Sequence, residues 1–162
     1  MSVWLQILNR TSRIVTALTA LFFIYTRSLG VAYFIAGAVA CSIFVKTVKK
    51  VIRQPRPPGL SKKVSYGMPS THSATIMFYA TYIVLAAALL PIHPSLSQSP
   101  LTRVIPPVVA VPWASSIALS RIRLGHHTPA QVLVGSVLGC AFAASWFSLE
   151  KTVTEYVIAV VP

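Results

Sequence analysis

Three short stretches of this chain carry groups that could handle a phosphate: Lys49-x6-Arg56-Pro57, Pro69-Ser70-Thr71-His72 and Ser120-Arg121-x5-His127. Between them they supply two imidazoles and three cations. Neutral imidazole is a competent nucleophile near pH 7, and its protonated form is a competent general acid. Arg56 and Arg121 offer planar forks that can hold phosphoryl oxygens in pairs, and Lys49 offers a compact point charge. Ser70 and the backbone N–H groups around it, Thr71 included, add donors for anionic oxygens where an apolar run begins. A nucleophile, an acid and cationic clamps are the inventory for phosphoryl transfer in which no metal neutralises the transition state. No metal or other cofactor is therefore expected.

Those groups sit at the borders of apolar runs, and the composition says what the runs are. The chain has 162 residues, of which 55% are hydrophobic and 10% charged, where a soluble domain carries roughly a quarter charged residues. Its mean hydropathy is +0.72. The only acids are Glu150 and Glu155, set against 14 lysines and arginines, for a formal net charge of +12. This balance suits anionic partners. Nucleic acid is set aside, because a nucleic-acid module displays its cations on a solvated face and here they lie between apolar runs. A lipid phosphate in a membrane fits both properties. Cys41 and Cys140 lie inside apolar runs and are expected to pack as small hydrophobes without forming a disulfide.

A spanning helix needs about 20 mostly apolar residues. The first run covers residues 14–26, extendable back toward Val3 if Arg10 and Arg13 reach the interface. It lacks a small-residue cleavage site and is expected to remain as a helix. Arg27-Ser28 interrupts it. A second run covers 29–45 and is closed by Lys46, Lys49 and Lys50. Residues 53–66 are basic and Pro-rich and read as an ordered loop. A third run covers 73–92, a Ser- and Pro-rich loop 94–103, and a fourth run 104–120, where Pro106, Pro107 and Pro112 are expected to kink or loosen the helix. The fifth, 129–149, carries Gly135 and Gly139 four residues apart, a pair suited to close helix contact. The tail from Thr152 reads as an interfacial segment or a short helix continuing the fifth. The fold expected is an all-α integral-membrane bundle of about five to six helices, one domain over 1–162 with the motifs in 29–149.

Counting crossings tests whether the motifs can meet. With the N-terminus on one face, successive spans return the chain to that face at Lys46, leave it after His72, return at Arg121 and leave after His127. All three motifs thus fall on one side of the membrane, although Lys49 and His127 are far apart in sequence.

Taken together, the trio resembles the signature of type 2 phosphatidic acid phosphatases, a superfamily that also takes in vanadium haloperoxidases and isoprenoid diphosphate phosphatases. The resemblance implies that His127 attacks phosphorus to form a phosphohistidine and that His72 protonates the leaving oxygen. It implies that Lys49, Arg56 and Arg121 hold the phosphoryl oxygens, with Arg121 part of the catalytic set. Two positions depart from the pattern. Thr71 stands where the family often has glycine, and its backbone donor is expected to survive the change. Gln131 stands four residues after the candidate nucleophile, where the family usually has aspartate. Its amide oxygen can still accept an imidazole N–H and orient the ring, but it brings no charge. The stretches His127-Thr128-Pro129-Ala130-Gln131-Val132-Leu133 and Tyr66-Gly67-Met68-Pro69-Ser70 resemble the dolichyl diphosphate phosphatase branch, so the departure reads as a subfamily mark.

The expected activity is removal of the terminal phosphate of a polyprenyl diphosphate such as dolichyl diphosphate. Two alternatives stay open: a phosphatidate or phospholipid monoester phosphatase using the same residues, and a lipid-phosphate-binding protein that has lost turnover. Lys46, Lys50, Arg53, Lys62, Lys63 and Arg123 read as interface anchors. His126 is the weaker neighbour of His127, and His93 is a loop residue on the opposite side. Trp4, Trp113 and Trp146 read as packing or interfacial aromatics, and Tyr66 as a loop anchor. The branch resemblance implies a site facing the lumen of the endoplasmic reticulum, whereas the excess of cations on the motif face argues for the cytoplasm.

Overall fold

The computed structural model of the chain describes residues 3–58 and 65–160, with side chains from Thr11 onward and not beyond Thr152. Lys62 and Lys63, and the side chains of Trp4, Arg10, Lys151 and Glu155, lie outside that description. Five helices follow one another among the described residues: α1 (Val3–Thr26), α2 (Leu29–Ile52), α3 (Thr71–Leu89), α4 (Leu101–Arg123) and α5 (Pro129–Val160).

Helices α2, α3, α4 and the Pro129–Glu150 part of α5 are each long and apolar enough to cross a membrane, and α1 contributes the shorter apolar stretch Thr11–Thr26. Leu18, Leu21, Leu29, Val108 and Leu133 are all more than half exposed. Large apolar groups turned outward in this way match a lipid surround, in which apolar exposure costs nothing. The chain is an integral membrane protein.

The helices do not coincide with the apolar runs. Helix α2 does not stop at Val45 but continues for two turns to Ile52, so Lys46, Lys49 and Lys50 lie on it. Charge makes the helix leave the hydrocarbon without unwinding it, because lysine is a good helix former and favours the C-terminal end of the dipole. The helix ends at Arg53, whose φ of 53° is left-handed and whose N–H reaches the Lys49 carbonyl at 3.1 Å. Helix α4 runs unbroken through Pro106, Pro107 and Pro112, a tolerance that packed neighbours give membrane helices. The apolar tail continues α5 to Val160.

Helix α3 lies at the centre, against α2, α4 and α5. Its approach to α5 depends on the glycine pair: a methyl group on Gly135 would lie 2.5 Å from the Ser70 carbonyl oxygen, and one on Gly139 would meet the Ala74 backbone. Because α3 and α5 are so close at their N-terminal ends, the residues that open each helix are neighbours. The other half of the bundle is aromatic. Phe78 and Phe147, both buried, pack with Phe34, Tyr82, Phe142 and Trp146. There the Tyr82 hydroxyl donates to the Glu150 carboxylate, and the Tyr33 hydroxyl and Trp146 indole each donate to the other's carbonyl. The polar groups of this deep layer are hydrogen-bonded, as burial requires.

Candidate active site

The three motifs meet at one end of the bundle, as the crossing count predicts. A cavity of about 410 Å³ there is lined by Lys49, Arg56, Thr71, His72 and His127. Lys49 comes from the last turn of α2, Thr71 and His72 from the first turn of α3, and His127 from the link between α4 and α5. The αL turn at Gly125, φ 65°, reverses that link. The N–H groups of His126 and His127 then donate back to the Arg121 carbonyl at 3.0 and 3.3 Å.

His127 is held on both ring nitrogens. The Arg56 Nη1 lies 3.1 Å from Nε2, and the Gln131 Oε1 lies 3.2 Å from Nδ1. A guanidinium can only donate, so Nε2 must keep its lone pair and the ring proton must sit on Nδ1. The glutamine orientation agrees. Its Oε1 also accepts from the Thr128 N–H at 3.2 Å, while its Nε2 donates to Gln54 Oε1 at 3.1 Å and to the Pro55 carbonyl at 2.9 Å. Turning the amide over would set a donor against the Thr128 N–H and an acceptor against the Pro55 carbonyl. The neutral tautomer is fixed with Nε2 as the basic atom on the Arg56 side.

Electrostatics push the same way. Burial first, then Arg56 and then Lys49, drive the His127 imidazole down to about 3, and its hydrogen bonds to Gln131 and the Gly67 backbone only partly offset this. His127 is 4% exposed. It is an uncharged base throughout the physiological range.

Arg56 is itself positioned by its surroundings. Its Nε donates to the Ser65 carbonyl at 2.8 Å, its Nη2 to the Ser65 hydroxyl at 2.9 Å, and its Nη1 also to the His126 carbonyl at 2.8 Å. These bonds aim the fork at His127 and leave little rotamer freedom.

Two expected phosphate contacts lie elsewhere. Ser70 is fully buried outside the cavity wall, and its Oγ accepts from the Ser73 N–H and hydroxyl, capping α3. The Ser70 N–H bonds the Gln131 carbonyl at 3.0 Å, tying α3 to α5. Arg121 is 2% exposed and lies outside the cavity wall, with Nε and Nη2 on the Ser120 hydroxyl at 3.2 and 3.1 Å. Thr71 is the first residue of α3 and lines the cavity with an ordinary helical backbone, so a β-branched residue fits where glycine is common. His126 does not line the cavity; His93 sits in the α3–α4 link with its Nδ1 on the Ser95 N–H.

Sequence reasoning missed four contributors. Gln54 and Ser65 orient Gln131 and Arg56, Gly67 leaves the space that the Gln131 amide fills, and Lys46 lines the cavity one turn from Lys49. Only Gly67 had a signal, its place in the Tyr66–Ser70 stretch.

Known proteins resemble this chain over most of its length. A dolichyldiphosphatase 1 from Rhinolophus ferrumequinum is 31% identical over 136 residues, covering 80% of this chain and 57% of that protein. The Homo sapiens dolichyldiphosphatase 1 is 30% identical over 135 residues, with the same coverages. Lipid phosphate phosphatase gamma of Arabidopsis thaliana is 30% identical over 137 residues, covering 81% and 58%. The chain thus spans little more than half the length of these relatives. In fold it resembles the crystal structure of the first transmembrane PAP2 type phosphatidylglycerolphosphate phosphatase from Bacillus subtilis, with a TM-score of 0.70, 18% identity, and coverage of 94% of this chain and 79% of that one. The sequence profile of the PAP2 superfamily matches residues 25–155, and the chain belongs to that superfamily.

Proposed function

We propose that the protein is a metal-independent lipid phosphatase that hydrolyses the terminal phosphoanhydride of a polyprenyl diphosphate, dolichyl diphosphate first, through a phosphohistidine on His127. The observation that carries this reading is the tautomer lock: Arg56 on Nε2, Gln131 on Nδ1, and a ring that stays neutral. The Nε2 lone pair attacks the terminal phosphorus while the bond to the bridging oxygen breaks. His72 gives its proton to that oxygen, and the lipid monophosphate leaves. Water then attacks the phosphohistidine with His72 as base, and inorganic phosphate departs as Nε2 recovers its lone pair. Lys49 and Arg56 offset charge on the equatorial oxygens from the cavity wall; Arg121 does so from behind it once substrate is bound. Thr71 offers a backbone donor at the start of α3, and Ser70 serves as its cap.

The five helices form one phosphatase domain over the whole chain. The relatives named dolichyldiphosphatase favour the polyprenyl diphosphate, and the one named lipid phosphate phosphatase gamma keeps a monoester such as phosphatidate as the second reading. Against a binder without turnover stands Gln131, which orients the nucleophile as a carboxylate would. We place the site on the lumenal side of the endoplasmic reticulum membrane, with the cations of the motif face serving substrate more than topology. An N-glycosylation acceptor fused ahead of Met1 would then be modified, because the N-terminus and the site share a face.

The test is phosphate release by purified protein in detergent and EDTA, with dolichyl diphosphate and phosphatidate offered in parallel and His127→Ala as control. Release that favours the diphosphate and disappears in the variant is the expected result. Preference for phosphatidate overturns the substrate, and no release from either overturns the activity.

A further inference from the structure

The cavity is larger than one phosphoryl group requires. Even at about 30 Å³ per heavy atom, the share of a water molecule in the liquid, such a group leaves more than half of the 410 Å³ unfilled. The remainder runs down α2. Lys46 is one turn back from Lys49, about 4.5 Å deeper along the axis and on the same face, and Ser42 is one turn further.

A second cavity of about 340 Å³ continues in that direction, with Ala20, Ile35, Ala38, Val39 and Ile43 in its wall. Lys46, Ser42, Thr16, Thr75 and Tyr79 line both cavities, so they form the junction. Among the described residues Lys46 is the only charged one lining the lower cavity, and no acidic side chain lines either one. Lys46 is exposed to this space with no carboxylate among the described residues that line it, so an anion entering there meets a cation that no lining acid neutralises. A ligand filling both spaces must present one phosphoryl group at His127, a second anion about one helical turn away, and an apolar chain beyond. A lipid diphosphate has that order of groups. A phosphomonoester has nothing to offer Lys46.

We propose that Lys46 is a second anion subsite, binding the lipid-side phosphate of a diphosphate and selecting diphosphates over monophosphates. This rests on the phosphatase reading above and extends it to a residue outside the three motifs. The ammonium, helped by the Ser42 and Thr75 hydroxyls, holds the phosphate that departs with the lipid. It therefore also offsets the charge that develops on the leaving group as the phosphoanhydride breaks.

The experiment uses the full chain in detergent, wild type, Lys46→Met and Lys46→Arg. It measures kcat/KM for a polyprenyl diphosphate and for the monophosphate of the same chain length. The ratio of the two is expected to fall about tenfold or more in Lys46→Met, the size of one charge-assisted hydrogen bond, and to recover most of that in Lys46→Arg. An unchanged ratio overturns the proposal, whether both rates fall together or neither does. In parallel, inorganic pyrophosphate and orthophosphate are compared as ligands by thermal shift. Wild type should favour pyrophosphate about tenfold and Lys46→Met should not; a preference that survives the substitution also overturns the proposal. If wild type hydrolyses neither lipid, the phosphatase reading fails, and the pyrophosphate comparison still decides the subsite.

Discussion

Replacing Gln131 by glutamate restores a carboxylate beside the candidate nucleophile, yet the geometry predicts a slower protein. The amide makes two donations that a carboxylate cannot, to Gln54 Oε1 at 3.1 Å and to the Pro55 carbonyl at 2.9 Å. Gln54 can turn its own amide to offer an N–H, whereas the Pro55 carbonyl is left facing an anion. Stranding one buried acceptor costs about 1–3 kcal/mol, or roughly 5- to 150-fold in a rate that depends on this loop being ordered. A second effect is visible in pH. A carboxylate 3.2 Å from Nδ1 favours the imidazolium and raises His127 from its value of about 3. The assay is kcat/KM against pH, which reports the free protein, for wild type, Gln131→Glu and Gln131→Ala. Gln131→Glu should show a plateau about tenfold lower and an acid limb displaced to higher pH. Gln131→Ala should lose about ten- to a hundredfold with no such displacement, as expected when only orientation is lost. A Gln131→Glu plateau at or above wild type, or limbs that superimpose, would refute the argument.

Stability should depend on pH through the same ring. His127 titrates near 3 when folded and near 6.5 when unfolded, so the unfolded chain binds the extra proton as pH falls through 6.5. The folded state should lose up to about 1.4 kcal/mol per pH unit between those values; thermal denaturation in detergent from pH 7 to 5 should show a decline that His127→Asn reduces. Arg56→Lys should lower kcat/KM about a hundredfold, because an ammonium cannot hold Ser65, the His126 carbonyl and His127 together; a loss under threefold would contradict its placement. Gly135→Ala should destabilise by about 1–3 kcal/mol through the contact of its methyl with the Ser70 carbonyl, seen as a lower Tm, with the ratio of diphosphate to monophosphate turnover unchanged.

The helices and the side of the bundle holding the site were legible because both follow from local pattern. Apolar runs give spans, and an odd or even number of crossings gives the face. Helix ends were less legible: Lys46, Lys49 and Lys50 mark where the chain leaves hydrocarbon, which is a different event from unwinding. The motif residues were legible as types, but not which of them face the cavity. Ser70 and Arg121 carry the chemistry of phosphate ligands, yet one caps α3 and the other is buried beside Ser120. The supporting contacts were out of reach because they join distant segments. Gln54 and Gln131 are 77 residues apart, and no spacing rule pairs two glutamines across a bundle. Lys46 was read as an anchor because a cation beside a membrane run usually is one; its role appears only once α1 and α3 wall in the space beside it.

Among the described residues, the cavity wall carries Lys46, Lys49 and Arg56 and no acidic side chain. In the proposed reaction the exit would therefore be slow. Inorganic phosphate, left among the cations proposed to offset the transition state, would be held by what makes the reaction fast. Its release would compete with chemistry as the rate-limiting step, and free phosphate or sulfate in the medium should act as a competitive brake. Lipid substrates would then be consumed fastest where phosphate is kept low, so that the protein's throughput is coupled to how quickly its surroundings clear the smaller product.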